Sequence, residues 1–252
     1  MLKRLFASLL ITLVAAPALA AFKVETLTAM QMEAWRARMG FHQLAVRGNA
    51  PEDLDALEGV IAQGGDLIEQ LSSQAVTTSE KDAVTEISAL WEAIANRAVD
   101  NPLASVGYAD FNAFAEINSL TLDLHRELAS HLVGAEKGAN DALMKLGVDL
   151  LRISSEYLAL ATFPSAGINA GTQEVPMPFM QEAMTFEEDM DKLEKQAANE
   201  QVKRMLATLK MRWTFIRSAI PQLDDPDAAK VPLLFYRYSS QTADDLVDVL
   251  AQ

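Results

Sequence analysis

The 252-residue sequence contains no cysteine, and basic side chains are few, with 21 Lys+Arg against 35 Asp+Glu. The absence of cysteine excludes a disulfide scaffold, a thiol-ligated metal site and a thiol enzyme. The net charge of −14 argues against nucleic acid and anionic lipid as partners, because like charges repel. Hydrophobic residues make up 50% of the chain, which is enough for one large or two small globular domains.

Apolar runs long enough to cross a bilayer are also missing. The run at residues 5–16 falls short of the roughly 20 residues that a membrane-spanning helix needs. Lys3 and Arg4 precede it, and Pro17 and the small-residue triplet 18–20 follow. This layout is typical of a secretory signal peptide at residues 1–20, with a retained anchor as the alternative. Cleavage after Ala20 would leave 232 residues with 19 Lys+Arg against 35 Asp+Glu, a net charge of −16. We therefore expect a soluble periplasmic protein with no stable membrane insertion after cleavage.

Helical periodicity dominates the rest of the chain. Apolar residues recur at spacings of three, four and seven from Leu27 onward, until residues 48–51 interrupt the first helix. Pro51 suits the first position of a second helix, Thr77 can cap a third, and Asp110 can cap a fourth. The pattern predicts eight helices and no strand. The fourth and fifth helices are predicted to run together as one long helix over residues 110–163, because no proline interrupts them. The longest irregular connection is predicted at residues 165–178.

An offset of 122 residues aligns the two halves of the chain. Trp91 falls on Trp213 and Ile94 on Ile216, and every predicted helix falls on a helix. The alternative is that any two helical stretches share an apolar period. The offset predicts two tandem four-helix bundle modules, residues 21–134 and 135–252, joined by the long shared helix.

Catalytic motifs are missing. His42, His125 and His131 lack the i,i+4 spacing of a helical metal site, and there is no Glu-x-x-His motif for a di-iron bundle. No phosphate-binding glycine loop and no Gly-x-Ser-x-Gly turn is present. The sequence therefore predicts no enzyme activity, no metal site and no cofactor.

Methionines offer one alternative function. Met177, Met180, Met184 and Met190 lie on and before the sixth predicted helix, and thioethers are soft ligands suited to Cu(I). Together with His125 they would make a periplasmic metal or cofactor carrier. Methionine at helical spacing is also ordinary core filler, and a structural scaffold protein is a further alternative.

Arginines provide the candidate ligand contacts. Arg36 and Arg38 on the first helix, and Arg152 on the fifth, lie among apolar neighbours in a strongly acidic protein. A guanidinium near a bundle interface can bind a small anion through two parallel hydrogen bonds. An ion pair with a nearby carboxylate, or a side chain that extends to solvent, is the alternative.

The fifth helix also carries a motif. Residues 152–159 are similar to Arg-x-x-Ser-Gln-Arg-Leu-Ala, matching at Arg152, Ser155 and two following apolar positions, with Tyr157 in place of the second arginine. The first helix keeps Arg38 and Met39 of a second copy. On these residues the chain resembles the PilJ-type domain, the N-terminal periplasmic domain of type IV pili methyl-accepting chemotaxis transducers, which is related to NarX-type nitrate/nitrite sensor modules.

The resemblance implies a helical sensor-type module in tandem repeat. We expect a non-catalytic module that binds a small-molecule ligand, such as a small anion, or docks a periplasmic signalling partner. The candidate ligand-binding residues are Arg152, Ser155, Arg38 and Arg36.

Overall fold

A computed structural model describes residues 22–133, 138, 140–168, 178–197, 199–223, 225 and 227–250, with side chains described as far as residue 247. The predicted signal peptide, Met177 and most of the predicted connection at residues 165–178 lie outside these ranges. The described residues contain no strand, so the predicted all-α fold is confirmed. Eight helices have 18 or more residues: α1 (Val24–Arg47), α2 (Pro51–Gln74), α3 (Thr78–Val99), α5 (Phe111–Leu132), α6 (Asp141–Thr162), α7 (Phe179–Gln196), α8 (Glu200–Arg217) and α9 (Pro232–Leu250). The five-residue helix α4 (Pro102–Val106) and a 3-10 turn at Ile220–Gln222 complete the described set.

The helix ends follow local sequence signals. Gly48 ends α1 in the left-handed conformation, with φ +66°, and its N–H donates to the carbonyl of Leu44. Pro51 occupies the first turn of α2, where its missing N–H costs nothing. Thr77 forms a capping box with Glu80 at the start of α3, and Asp110 accepts a hydrogen bond from the N–H of Asn112 at the start of α5. These predicted caps are confirmed.

The prediction of one continuous helix over residues 110–163 is wrong. Helix α5 ends at Leu132, and Val133 has extended backbone with ψ 117°. The next helix, α6, begins at Asp141, whose carboxylate accepts a hydrogen bond from the Gly138 N–H at 2.6 Å. Glycines at 134 and 138 each lower the helix propensity of this stretch by about 1 kcal/mol relative to alanine, although α2 continues through Gly64 and Gly65.

Two apolar cores lie on either side of the α1–α6 pair. The first core contains Leu57, Trp91 and Phe114 and is built by α1, α2, α3 and α5. The second is built by α6, α7, α8 and α9 around Tyr157 and Trp213. Trp91 and Trp213, which the 122-residue offset aligns, therefore each lie in the core of their own half.

Helix α1 belongs to both cores. It buries 17 of its 24 residues and packs more extensively along α6 than any other described pair of helices does. Its residues Met32, Trp35 and Met39 join the second core, while Leu27, Phe41 and Leu44 join the first. The two halves therefore share α1. The division into two modules at residue 134 remains a prediction.

The two tryptophans have different neighbours at the matched position on the preceding helix. In the first core that position is Gly64, and a Cβ built there would lie 2.0 Å from the ring of Trp91. In the second core it is Phe186, whose ring centroid lies 4.7 Å from that of Trp213. The glycine thus makes room for a ring on the adjacent helix.

None of the described helices combines the length and the apolar character that crossing a membrane requires.

Candidate functional site

Arg38 lies at the centre of a buried polar network. Its side chain is 0% exposed, and its three nitrogen atoms donate to Asn118 Oδ1 at 2.7 Å, Ser155 Oγ at 2.8 Å and Glu156 Oε2 at 2.7 Å. Burial lowers the pKa of Arg38, and the Glu156 carboxylate opposes that shift. The structure therefore brings together two predicted site residues, Arg38 and Ser155. All three guanidinium nitrogens already donate hydrogen bonds to side chains of the protein itself.

The network also holds the segment that follows α6. The Asn118 side-chain amide donates to the carbonyl of Gly167 at 2.7 Å, and the Ile168 N–H donates to Glu156 Oε1 at 2.9 Å. A Cβ at Gly167 would approach Glu156 Oε1 to 2.6 Å and Leu160 Cδ2 to 2.8 Å, so a larger residue here would require one or both of these side chains to shift. Helices α1, α5 and α6 and this segment are thus tied through one ion pair.

His42 lies one turn along α1 from Arg38 and carries no charge. Burial and the nearby Arg38 cation hold its pKa well below the usual value. Both ring nitrogens are buried without a hydrogen-bond partner, and the ring packs edge-on against Phe41. A neutral histidine among aromatic rings contributes packing here.

Arg152 does not contact this network. Its guanidinium lies 2.5 Å from Glu182 on α7 and 3.8 Å from Asp149, one turn earlier on α6. Its charge contributes to lowering the pKa of His125 to about 4, although burial is the larger cause. The carboxylates that pair with Arg38 and Arg152 match the ion-pair alternative, and the proposed anion contact at these arginines remains a prediction.

Arg36 lies in a groove between α1, α2 and α9. The groove has a volume of about 360 Å³, and its walls combine charged, amide and apolar side chains: Ala29, Glu33, Arg36, Gln63, Asp66, Leu67, Gln70, Asp244 and Val247. The guanidinium of Arg36 contacts Glu33 Oε1 at 3.1 Å, Gln63 Oε1 at 3.2 Å and Asp244 Oδ1 at 3.0 Å. Because α2 belongs to the first half and α9 to the second, the groove spans both halves of the fold.

Two polar atoms at this groove are buried without a hydrogen-bond partner: Glu33 Oε2 and Arg36 Nε. The Glu33 side chain is only 5% exposed. Burial raises its pKa to about 7, against the opposing effect of the Arg36 charge and hydrogen bond. Unpartnered buried acceptors are uncommon and costly in native proteins.

Glu33 was not among the site residues predicted from the sequence. The residue lies one turn before Arg36 on an amphipathic helix and next to the inward-facing Met32, so a buried carboxylate was readable as a charge close to the apolar stripe. Asp244 gave no such signal, because only folding brings it beside Arg36.

The methionines of the proposed metal or cofactor carrier lie in different environments. Met180 and Met184 are 46% and 53% exposed on α7, whereas Met190 is buried in the second core. The ring of His125 packs against Trp35 with centroids 5.7 Å apart. Among the described residues, no group of three or more His, Asp or Glu side chains is arranged to hold a metal ion.

Comparisons with protein-family models, with curated proteins and with solved structures find no match to the chain. The resemblance to the PilJ-type domain, carried by Arg152, Ser155 and Arg38, therefore remains a prediction.

Proposed function

We propose that this protein is an exported, non-catalytic ligand-binding module of the sensor type, and that its ligand enters the α1–α2–α9 groove. The observation that carries the proposal is the buried Glu33 Oε2 without a partner at the wall of a groove of about 360 Å³. A ligand with a hydrogen-bond donor would satisfy this acceptor, and the apolar wall residues would bury its carbon skeleton.

The position of the groove suits a sensor. Its walls come from α1, which belongs to both cores, and from one outer helix of each half. A ligand that contacts all three helices favours the packing in which they lie closest, and a difference in affinity between two packings shifts their populations. Docking to a periplasmic partner would then report the shift.

A thermal unfolding screen with a blocked groove tests the proposal. Gln70 is an exposed residue of the groove wall and lies outside both cores, so we expect Gln70→Trp to obstruct the groove without disturbing the packing. Ser72→Trp is the matched control, because Ser72 is exposed on the same helix and outside the groove. The panel contains small amines, carboxylates, inorganic anions and neutral alcohols.

We expect at least one compound to raise the Tm of the wild type and of Ser72→Trp but not of Gln70→Trp. A ligand at ten times its Kd adds about 1.4 kcal/mol, which corresponds to roughly 3–6 °C in a chain of this size. If no compound gives a shift that depends on Gln70, the groove is not a ligand site. A purely structural scaffold would give that result.

Export is tested separately at the N-terminus. The signal-peptide prediction requires the mature protein to begin at Ala21, which N-terminal sequencing of protein from the natural host's periplasm would detect. Recovery of a chain that begins at Met1 would contradict cleavage.

A further inference from the structure

The α1–α2–α9 groove carries an excess of negative charge. Three carboxylates, those of Glu33, Asp66 and Asp244, line it beside one guanidinium, that of Arg36. Arg36 is engaged by Glu33 and Asp244 at 3.1 and 3.0 Å, so its positive charge is already balanced by these neighbours. An anion entering the groove would meet a net negative potential, whereas a cation would be attracted.

The unpartnered atom at the groove is an acceptor on a buried carboxylate. Glu33 Oε1 is engaged by Arg36, and Glu33 Oε2 has no hydrogen-bond partner. Rotation about the last side-chain torsion of a glutamate is soft, so the carboxylate can turn Oε2 toward the groove without moving the helix, and Oε1 turns with it. A charged N–H donor is the partner that such an oxygen binds most strongly.

The groove also has an apolar wall. Ala29, Leu67 and Val247 line it together with the carboxylates. These side chains can bury a short alkyl chain. Each methylene that leaves water stabilises the bound state by about 0.8 kcal/mol.

We propose that the groove binds a small organic ammonium ion, whose nitrogen donates to the Glu33 carboxylate while its carbon chain packs on Ala29, Leu67 and Val247. The inference rests on the proposed ligand-binding function and names the ligand's chemical class. Arg36 Nε, also without a partner, can donate to an acceptor group elsewhere on such a ligand. The charge of the walls still selects for the ammonium group.

Protonation of Glu33 couples to this binding. The charged groups that line the groove with Glu33 are Arg36 on its own helix, Asp66 on α2 and Asp244 on α9, and Tyr236 on α9 interacts with Arg36 and Asp244. Burial raises the pKa of Tyr236, so it stays neutral near pH 7. Because burial raises the pKa of Glu33 to about 7, part of the population is protonated at neutral pH. An ammonium ion binds the ionised form, so we expect its affinity to increase from pH 6 to pH 8 with release of a proton.

Three probes of equal length separate charge from size: n-butylammonium, butyrate and 1-butanol. In calorimetric titrations of the full mature chain at pH 8, we expect saturable binding of n-butylammonium and at least about tenfold weaker binding of butyrate and 1-butanol, as the loss of a charge-assisted hydrogen bond implies. The same titration at pH 6 should give a weaker n-butylammonium affinity.

Variants locate the site. Glu33→Gln keeps the shape of the side chain but removes its charge, and we expect it to weaken n-butylammonium binding about tenfold or more and to abolish the pH dependence. Glu58→Gln removes one exposed carboxylate outside the groove and should leave binding unchanged. Asp244→Asn provides a second test at a side chain that is 56% exposed, where substitution does not endanger folding. We expect a loss of a few-fold there, because an exposed charge contributes less.

The outcomes separate the two proposals. If butyrate binds as well as n-butylammonium and Gln70→Trp abolishes both, the groove is a ligand site but not one for ammonium ions. If n-butylammonium binds equally to Glu33→Gln, or remains bound in Gln70→Trp, the cation does not occupy this groove and the inference is overturned. If no probe and no compound of the panel binds in a manner that depends on Gln70, both proposals fail.

Discussion

Removal of the buried Arg38 guanidinium should strongly destabilise the fold. In Arg38→Met, the Glu156 carboxylate keeps the hydrogen bond from the Ile168 N–H but loses its counter-charge while only 2% exposed. Asn118 Oδ1 and Ser155 Oγ each lose their bond from Arg38 as well. Breaking a buried ion pair by removing one partner costs about 3–5 kcal/mol, a large share of a total stability of roughly 5–15 kcal/mol.

Urea denaturation measures this cost, and a double-mutant cycle assigns it. Glu156→Gln in the Arg38→Met background removes the uncompensated charge and keeps an acceptor for the Ile168 N–H. We therefore expect the double variant to be more stable than Arg38→Met. With the Glu156→Gln single variant completing the cycle, we expect a coupling energy of about 0.5–3 kcal/mol, the usual range for contacting residues. Arg204→Met is the matched control, because Arg204 is exposed on α8 and lies outside both cores. Its cost should stay within about 0.5 kcal/mol.

Two results would refute the reasoning. A cost below about 1 kcal/mol for Arg38→Met would mean that Glu156 gains water or another donor as easily as it lost Arg38. Independent, additive effects of Arg38→Met and Glu156→Gln would mean that the two side chains do not act as a pair.

Two further substitutions test the packing and the electrostatics. Gly64→Ala places a Cβ 2.0 Å from the Trp91 ring and should lower the free energy of unfolding by about 1–3 kcal/mol. Gly65→Ala, where the new Cβ has no atom within 4 Å, should raise the free energy of unfolding by about 0.5–1 kcal/mol. Equal effects of the two substitutions in urea denaturation would contradict the contact between Gly64 and Trp91. The raised pKa of Glu33, about 7 against 4.5 for the free group, means that the folded state binds the proton more tightly than the unfolded state does. Its contribution to stability is therefore present at low pH and is lost as pH rises through 7, so Glu33→Gln should gain about 3 kcal/mol relative to wild type between pH 4.5 and pH 8, at 1.36 kcal/mol per pKa unit. A constant difference between the two proteins over that range would show that Glu33 titrates normally.

The helices were predictable because their signals are local. Gly48, Pro51, Thr77 and Asp110 end or begin helices through contacts within a few residues, and apolar spacing defines the faces between them. The break between α5 and α6 has no proline to mark it, and two glycines alone do not predict it, since α2 continues through Gly64 and Gly65. Glycine weakens a helix without forbidding it, so its effect depends on whether packing supports the residues around it.

The buried network was beyond local reasoning. Arg38 meets Asn118, Ser155 and Glu156, which lie 80, 117 and 118 residues further along the chain. An isolated arginine on an amphipathic helix is expected at the surface. Only the side-by-side packing of α1, α5 and α6 turns this position into the middle of the protein, because α1 has neighbours on both faces.

The same long-range packing decides what kind of ligand the groove favours. Arginines alone suggested an anion, but in a chain with 35 acidic and 21 basic residues each of these guanidiniums has a carboxylate within 3.1 Å: Glu33 and Asp244 for Arg36, Glu156 for Arg38, and Glu182 for Arg152. A positive side chain that is already paired offers an anion little, since the incoming charge must displace an existing partner or share it. The charge left over after pairing is what a ligand meets. In the α1–α2–α9 groove that remainder is acidic, and it includes an oxygen of Glu33 that no donor reaches.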